Sequence, residues 1–408
     1  MDPTKIACKT YNSFKESKPI YDTSELPKIY EHSDLETLTL HLRNNGRDSS
    51  SIVPIYCDVK VYKDLNVLSA QVYTMDTQEV YEEAVELADP WNEIGNSVFG
   101  KSKAAKESLK MANLDAVFKF TGHYSSLLKM RLDTTYTYEG KTLIDTYKNP
   151  VGLFKEDEKF VACVVQDMGW GSCNYLQFRL KEVRIRSMNT VFQNAGFTTP
   201  STKYFTPTYG EDGTGDIVSN WKNFVKDVRS STPEGIQLFI GNGLLPENGE
   251  QTFVLSEVLT GLSLCNKSAT FILKLEDVLD GFYADLLYVL SQCFVGIMLF
   301  KPVMCPPESG EKYLVCLESK GRSVIGPYVK LLENVLEEIG EGSVDRFLKE
   351  DLPEDFVLWL HETNTKFLLD EIEAYRRIQK IIEGEYLEPE YNLRTALKVW
   401  SVPGNLPK

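Results

Sequence analysis

The hydrophobic pattern alternates between short, continuous apolar runs and longer stretches with helical spacing. Phe160–Val165 (FVACVV), Ile236–Ile240 (IQLFI), Ala269–Leu273 (ATFIL), Val295–Phe300 and Tyr313–Leu317 are the runs, with Val183–Met188 as a further candidate. Runs of this length bounded by charge mark strands covered on both faces. Between them, helical spacing starts near Cys173, near Ser219, at Thr252 (to Leu264) and at Ala284 (to Phe294). Strands alternating with helices predict a doubly wound α/β sheet. The last two strands, joined by the Pro-rich Lys301–Lys312 loop, predict an antiparallel hairpin at one edge. Residues 85–120 read as mostly helical, with a break at Asp89-Pro90.

After Gly326 the pattern is helical throughout. Leu331, Leu332, Val335, Leu336 and Ile339 keep one stripe; Phe367, Leu368, Ile372, Tyr375, Ile378 and Ile382 keep another. This divides the chain into an N-terminal extension (1–84), an α/β domain (85–325) and a helical region (326–408) packed on it. The N-terminal residues are polar and carry no apolar segment of the kind that begins a secreted chain.

Charge then changes the picture. The chain of 408 residues has a formal net charge of −15. A nucleic-acid surface needs Lys and Arg, so this balance argues against one spread over the molecule. The excess is local, however. Residues 331–390 hold 17 acidic against 6 basic residues, and the remainder is nearly neutral. A basic patch elsewhere stays compatible with the balance. The acidic helices read as solvated faces, with a protein partner as the sharper alternative. Eight scattered cysteines without a C-x-x-C pair read as reduced core thiols of an intracellular protein. The four histidines form no zinc pattern. No apolar run reaches the length of a bilayer span.

In doubly wound sheets the ligand crevice lies beyond the carboxyl ends of the strands. Gly169, Asp216, Asn242 and Lys274 fall just after predicted strands or in the turns beyond them. Lys103, Lys106 and Lys110, at i, i+3 and i+7, share one helix face.

Four stretches in order add a resemblance. They are Asp89-Pro90-Trp91-Asn92-Glu93-Ile94 with Lys110-Met111-Ala112-Asn113-Leu114-Asp115; Gly213-Thr214-Gly215-Asp216-Ile217; Phe300-Lys301-Pro302-Val303 with Glu311-Lys312-Tyr313-Leu314-Val315-Cys316; and Leu397-Lys398-Val399-Trp400-Ser401-Val402-Pro403. Their order and spacing resemble the FtsJ/RrmJ-type 2'-O-ribose methyltransferases that act on the first transcribed nucleotide of capped mRNA. The resemblance implies a Rossmann-like methyltransferase sheet with a late antiparallel strand, S-adenosylmethionine as donor, the capped mRNA 5' end as partner and a nuclear location.

It also implies a Lys-Asp-Lys-Glu tetrad that orients and deprotonates a ribose hydroxyl for in-line attack on the donor's methyl group. Lys110, Lys274 and Glu311 match three members, and Asn242 stands where the aspartate belongs. Gly169, Gly171, Gly215 and Asp216 match the donor-binding positions, Asp216 resembling the residue that contacts adenine. Lys103 and Lys106 would face RNA phosphates.

The sequence departs from that pattern in the donor loop. Met168-Gly169-Trp170-Gly171 places two bulky residues where small ones let backbone approach the donor. Val164 lies near the place of an expected acidic residue, and Pro306 replaces an arginine. Asn242→Asp is therefore expected to raise activity if that residue is the main lesion. For Asp216 a helix-capping role is the equal alternative. A protein with impaired catalysis, an active enzyme and a non-catalytic scaffold all remain open at this point.

Overall fold

The computed structural model describes residues 30–31, 40–43, 56–89, 97–99, 103–121, 160–167, 170–180, 183–190, 202–243, 249–340, 342–349, 351–385 and 393–403. The strands are β1 (Tyr30–Glu31), β2 (Leu40–Arg43), β3 (Val161–Val165), β4 (Arg184–Met188), β5 (Phe205–Thr208), β6 (Ile236–Gly241), β7 (Cys265–Leu275), β8 (Phe294–Phe300), β9 (Lys312–Ser319) and β10 (Arg346–Leu348). Eight of them form one sheet in the order β1-β8-β9-β7-β6-β3-β4-β5. From β5 to β7 all neighbours are parallel, while β9 runs antiparallel to both β7 and β8. This is the Rossmann-like α/β sheet with a late antiparallel strand that the sequence predicts. The hairpin of β8 and β9 is present, but it is not the edge of the sheet: β9 is inserted inward, and β1 pairs with β8 outside it. β2 and β10 form a separate two-stranded ladder.

The helices are α1 (Val59–Tyr73), α2 (Gln78–Ala88), α3 (Lys103–Phe118), α4 (Gly171–Arg179), α5 (Ile217–Ser231), α6 (Glu250–Leu264), α7 (Gly281–Cys293), α8 (Arg322–Ile339), α9 (Glu354–Ile382) and α10 (Leu393–Val399). Strand burial explains the continuous apolar runs: every residue of β3 is buried. Phe239 of β6 stacks on Phe271 of β7 at 4.9 Å between ring centroids. Each such buried ring contributes about 1.5–3 kcal/mol by leaving water. α6 and α7 are buried almost all round, which is why their sequences are apolar on every face. α9 lies along α1 and α2, burying Phe367, Leu368, Ile372 and Ile378. All seven described cysteines are free and buried. No helix among the described residues is long and apolar enough to cross a membrane.

The strand order reverses between β3 and β6, since β3 leads to β4 on one side and β6 leads to β7 on the other. The crevice at the carboxyl ends of these strands is where the site must lie.

Candidate functional site

Three strand ends and one helix supply the groups. Asn242 follows β6 directly, and its backbone N–H donates to Val165 O at the end of β3, 3.1 Å away. Lys274 lies at the end of β7, and its cross-strand partner is Tyr313 of β9. Glu311 immediately precedes β9. Lys110 projects from α3, one turn after Glu107. The structure therefore brings Lys110, Asn242, Lys274 and Glu311 together.

The Lys110 ammonium is held by two carboxylates, Glu107 Oε1 at 2.6 Å and Glu311 Oε1 at 2.5 Å. Lys274 Nζ lies 3.7 Å from Glu311 Oε2. Cys305 Sγ sits 3.3 Å from Glu311 Oε1. All of this is nearly closed to solvent: Lys110 is 3% exposed, Lys274 7%, Glu311 9% and Asn242 0%.

Burial alone would strip the charge from these groups. For Lys110 it works against the ammonium, but the Cys305 sulfur and the carboxylates of Glu107 and Glu311 outweigh it and raise its pKa. Burial also opposes the Glu311 carboxylate, yet Lys110, Lys274 and the hydrogen bonds from Lys110 and Cys305 hold it down to about 2. Lys110 and Glu311 are thus a fixed ion pair at neutral pH.

The neighbourhood of Asn242 differs from what the sequence implied. Its amide nitrogen donates to Asp167 Oδ1 at 3.1 Å and Ser172 Oγ at 3.2 Å, and reaches Glu107 Oε2 at 3.5 Å. Its oxygen accepts from the Tyr313 hydroxyl at 3.1 Å, and that hydroxyl also donates to Glu107 Oε2 at 3.2 Å. Two carboxylates, Glu107 and Asp167, thus stand where an aspartate at 242 would have supplied one. The amide is the neutral donor that lets them share the space. Val164, near the place of the implied acid, is fully buried in β3, and Asp167, three residues later, is a buried acid beyond the strand.

Asp167 also governs the donor loop. Its carboxylate accepts the backbone N–H groups of Ser172 (3.1 Å) and Cys173 (2.9 Å), at the start of α4. A helix start with free N–H groups is an anion site; here the chain's own carboxylate fills it. Burial pushes the Asp167 carboxyl up, and hydrogen bonds from Cys173, Asn242 and Ser172 partly offset that.

The residues matched to the donor serve the chain itself. Gly171 opens α4 against α3, where a Cβ would fall 2.2 Å from Glu107 Cβ. Gly215, at φ 69°, lies under Asn189 O, which a Cβ would approach to 1.8 Å, and its own carbonyl accepts from Gln166 Nε2. Asp216 caps α5, accepting Ser219 N at 3.0 Å and Val218 N at 3.3 Å. Trp170, at φ 70°, packs its ring 5.4 Å from that of Phe205. Met168 and Gly169 lie outside the described residues. Among the described residues, Gly171, Gly215 and Asp216 therefore have packing and capping roles within the chain.

Of the basic face expected of Lys103, Lys106 and Lys110, the two described side chains are paired with carboxylates. Lys106 pairs with Asp89 at 2.5 Å, and Lys110 is enclosed by Glu107 and Glu311. The Lys103 side chain lies outside the described residues. Opposite charges one turn away or across a loop neutralised what helical spacing alone displayed.

Glu107, Asp167 and Tyr313 were not singled out in the sequence. Glu107 carried a signal, being three residues before Lys110 on one helix face. Asp167 carried another, as an acid just beyond a strand at the switch point. A further acid, Glu257 of α6, is fully enclosed: burial raises its pKa to about 8 against the Gly243 N–H and Lys274, and its Oε1 has no hydrogen-bond partner.

No family model matches the chain. A solved human methyltransferase-like protein 13, in complex with SAH, is 12% identical with a TM-score of 0.28, covering 44% of this chain and 83% of that one. Cap-specific mRNA (nucleoside-2'-O-)-methyltransferase 1A of Caenorhabditis briggsae is 25% identical over 85% of this chain and 42% of the relative. The inactive cap-specific mRNA (nucleoside-2'-O-)-methyltransferase 1B of the same organism is 24% identical over 85% and 43%. The human cap-specific mRNA (nucleoside-2'-O-)-methyltransferase 1 is 24% identical over 98% and 48%. The chain spans less than half the length of these curated relatives. Along most of its own length, it is similar to cap-specific mRNA (nucleoside-2'-O-)-methyltransferases.

Proposed function

We propose that this chain engages the 5' end of capped RNA, as a relative of the cap-specific 2'-O-methyltransferases, and transfers methyl groups slowly or not at all. The observation that carries the reading is the neutral Asn242, whose amide is committed to Asp167 and Glu107. Methyl transfer needs a nucleophilic oxygen held in line with a sulfonium, and preorganised charge lowers that barrier. Here the carboxylates near position 242 are spent inside the chain. Glu107 is bound to Lys110 and Tyr313, and Asp167 to the start of α4. Lys110 is held as an ammonium between Glu107 and Glu311, which raise its pKa. The name of one relative, inactive, is in keeping with such a site.

The test is fluorescence anisotropy with two RNAs of one sequence, one bearing a guanine-N7-methylated cap and one a 5' triphosphate. At a fixed ionic strength the capped RNA is expected to bind at least tenfold more tightly. Equal affinity for both ends would overturn the cap-directed reading.

A further inference from the structure

β4 and β5 close one end of the large sheet, with β5 at the edge. The two strands are parallel, and their register sets Ile185 beside Phe205 and Arg186 beside Thr206. Side chains alternate across a strand, so Arg184 and Arg186 stand on one face, with Tyr204 next to the first and Thr206 next to the second. Ile185 and Phe205 take the other face and are buried, whereas these four are half-buried. Arg184 begins β4, so the group lies towards the amino ends of the strands, away from Asn242 at their carboxyl ends.

Nothing in the chain answers the two arginines. Among the described residues neither guanidinium forms an ion pair, and Arg184 Nε is buried without a hydrogen-bond partner. A buried donor left without a partner is costly, and a charged one more so. Burial acts against the Arg186 charge and the neighbouring Arg184 adds to it; the Cys163 sulfur on β3 works the other way, and no carboxylate takes part.

Charges that keep sheet edges from pairing sit on the edge strand itself. These lie one strand in, and β5 is already blunted. Phe205 N–H donates to Thr202 Oγ1 at 3.0 Å, the Phe205 carbonyl accepts Thr202 N–H at 2.8 Å, and Pro207 has no N–H. An added strand therefore finds no row of free backbone groups here, and the occupant is one that guanidiniums recognise.

Guanidinium forks pair with carboxylates or phosphates. The two oxygens of a carboxylate are matched by one fork. A phosphate group carries more oxygens and takes both forks, with the hydroxyls of Thr206 and Tyr204 as further donors. Lys203, exposed and with its Nζ 5.3 Å from the centroid of the Tyr204 ring, adds a third positive charge at the rim.

We infer that Arg184 and Arg186, with Thr206 and Tyr204, bind a phosphate group on this face of the sheet, borne by an RNA backbone or by a free phosphate. The inference does not rest on the reading of the Asn242 site.

The experiment uses the full chain. Two probes are titrated by calorimetry: a twelve-residue oligouridylate with hydroxyl groups at both ends, and inorganic pyrophosphate. At least one is expected to bind the wild-type chain. R184Q/R186Q should weaken that binding at least tenfold. R184K/R186K, which keeps the charges and loses the forks, should weaken it at least threefold. K222Q/K226Q, which removes two exposed lysines of α5, should bind like the parent. Binding of oligouridylate alone assigns the phosphate to an RNA backbone; binding of pyrophosphate assigns it to a free phosphate. Circular dichroism checks folding, and if the glutamine variant unfolds, the lysine variant carries the test, an affinity unchanged from the parent then overturning the inference. The inference is also overturned if neither probe binds at millimolar concentration, if a folded R184Q/R186Q binds as the parent does, or if K222Q/K226Q loses as much as R184Q/R186Q. A twelve-residue oligoglutamate that binds with the same dependence on the arginines, while the phosphate probes do not, would overturn it too.

Discussion

Replacing Asn242 by Asp exposes the logic of the site. By resemblance alone this change restores a missing charge and raises activity. The structure predicts otherwise. The amide nitrogen lies 3.1 Å from Asp167 Oδ1 and 3.5 Å from Glu107 Oε2, with no solvent exposure. A carboxylate there turns an attractive contact into a repulsive one. At an effective dielectric of about 20, two unit charges at this spacing repel by about 5 kcal/mol. Proton uptake caps the loss. A carboxyl forced to stay protonated at pH 7, against an unfolded pKa of about 3.9, destabilises the fold by about 4 kcal/mol. Because the folded pKa is raised above the unfolded one, the deficit grows as pH rises from about 4, and it shrinks to about 1.5 kcal/mol at pH 5. Urea unfolding of both proteins, followed by tryptophan fluorescence at pH 5 and pH 7, reads the difference. A variant as stable as the parent at pH 7, or a deficit equal at both values, would refute the reasoning. Methyl transfer should not rise in the variant either.

Three further outcomes follow from the same geometry. Glu311→Gln leaves two buried ammonium groups with Glu107 as the remaining close carboxylate, and should cost about 3–5 kcal/mol at neutral pH. The Glu311 carboxyl is held at about 2, below an unfolded value of about 4.3, so its contribution is present above that value and fades as pH falls towards 2; a variant deficit unchanged at pH 2.5 would contradict this. Glu257→Gln removes an acid raised to about 8, against an unfolded value of about 4.3, so the variant should gain about 4 kcal/mol at pH 7.5 and nothing at pH 4, measured by urea midpoints; a loss at pH 7.5 would count against it. Gly171→Ala drives a methyl group into Glu107 and Ala104, which should destabilise by about 1–3 kcal/mol and lower the melting temperature.

The sheet was legible because burial on both faces makes parallel strands continuous in apolar residues, as in FVACVV and IQLFI. β5 was not, since FTPT carries Pro207 and polar positions that an edge strand tolerates and a central one does not. β1, of two residues, and β10, of three, are too short to show a period. Helices α1 and α2 were passed over because their burial is confined to a few positions, Leu65 and Val72 in one and Ala84 and Ala88 in the other.

In the site, residue types at strand ends could be read, and Lys110, Asn242, Lys274 and Glu311 do meet. What could not be read was pairing across distant segments. Glu107 and Tyr313 are far apart in sequence yet 3.2 Å apart in space. Asp167 makes sense of Asn242 only once its carboxylate is seen on the start of α4. The glycines of the donor loop read as ligand-facing because small residues serve close approach of any kind, including helix against helix.

With the carboxylates around Asn242 committed within the chain, the proposed function requires methyl transfer to be slow or absent. Tritiated methyl transfer from S-adenosylmethionine to capped RNA, at saturating RNA and millimolar donor, measures this directly. Label from the wild-type chain is expected at or barely above the no-enzyme control; turnover at an ordinary enzyme rate, about 1 per second or faster, would sink the proposal.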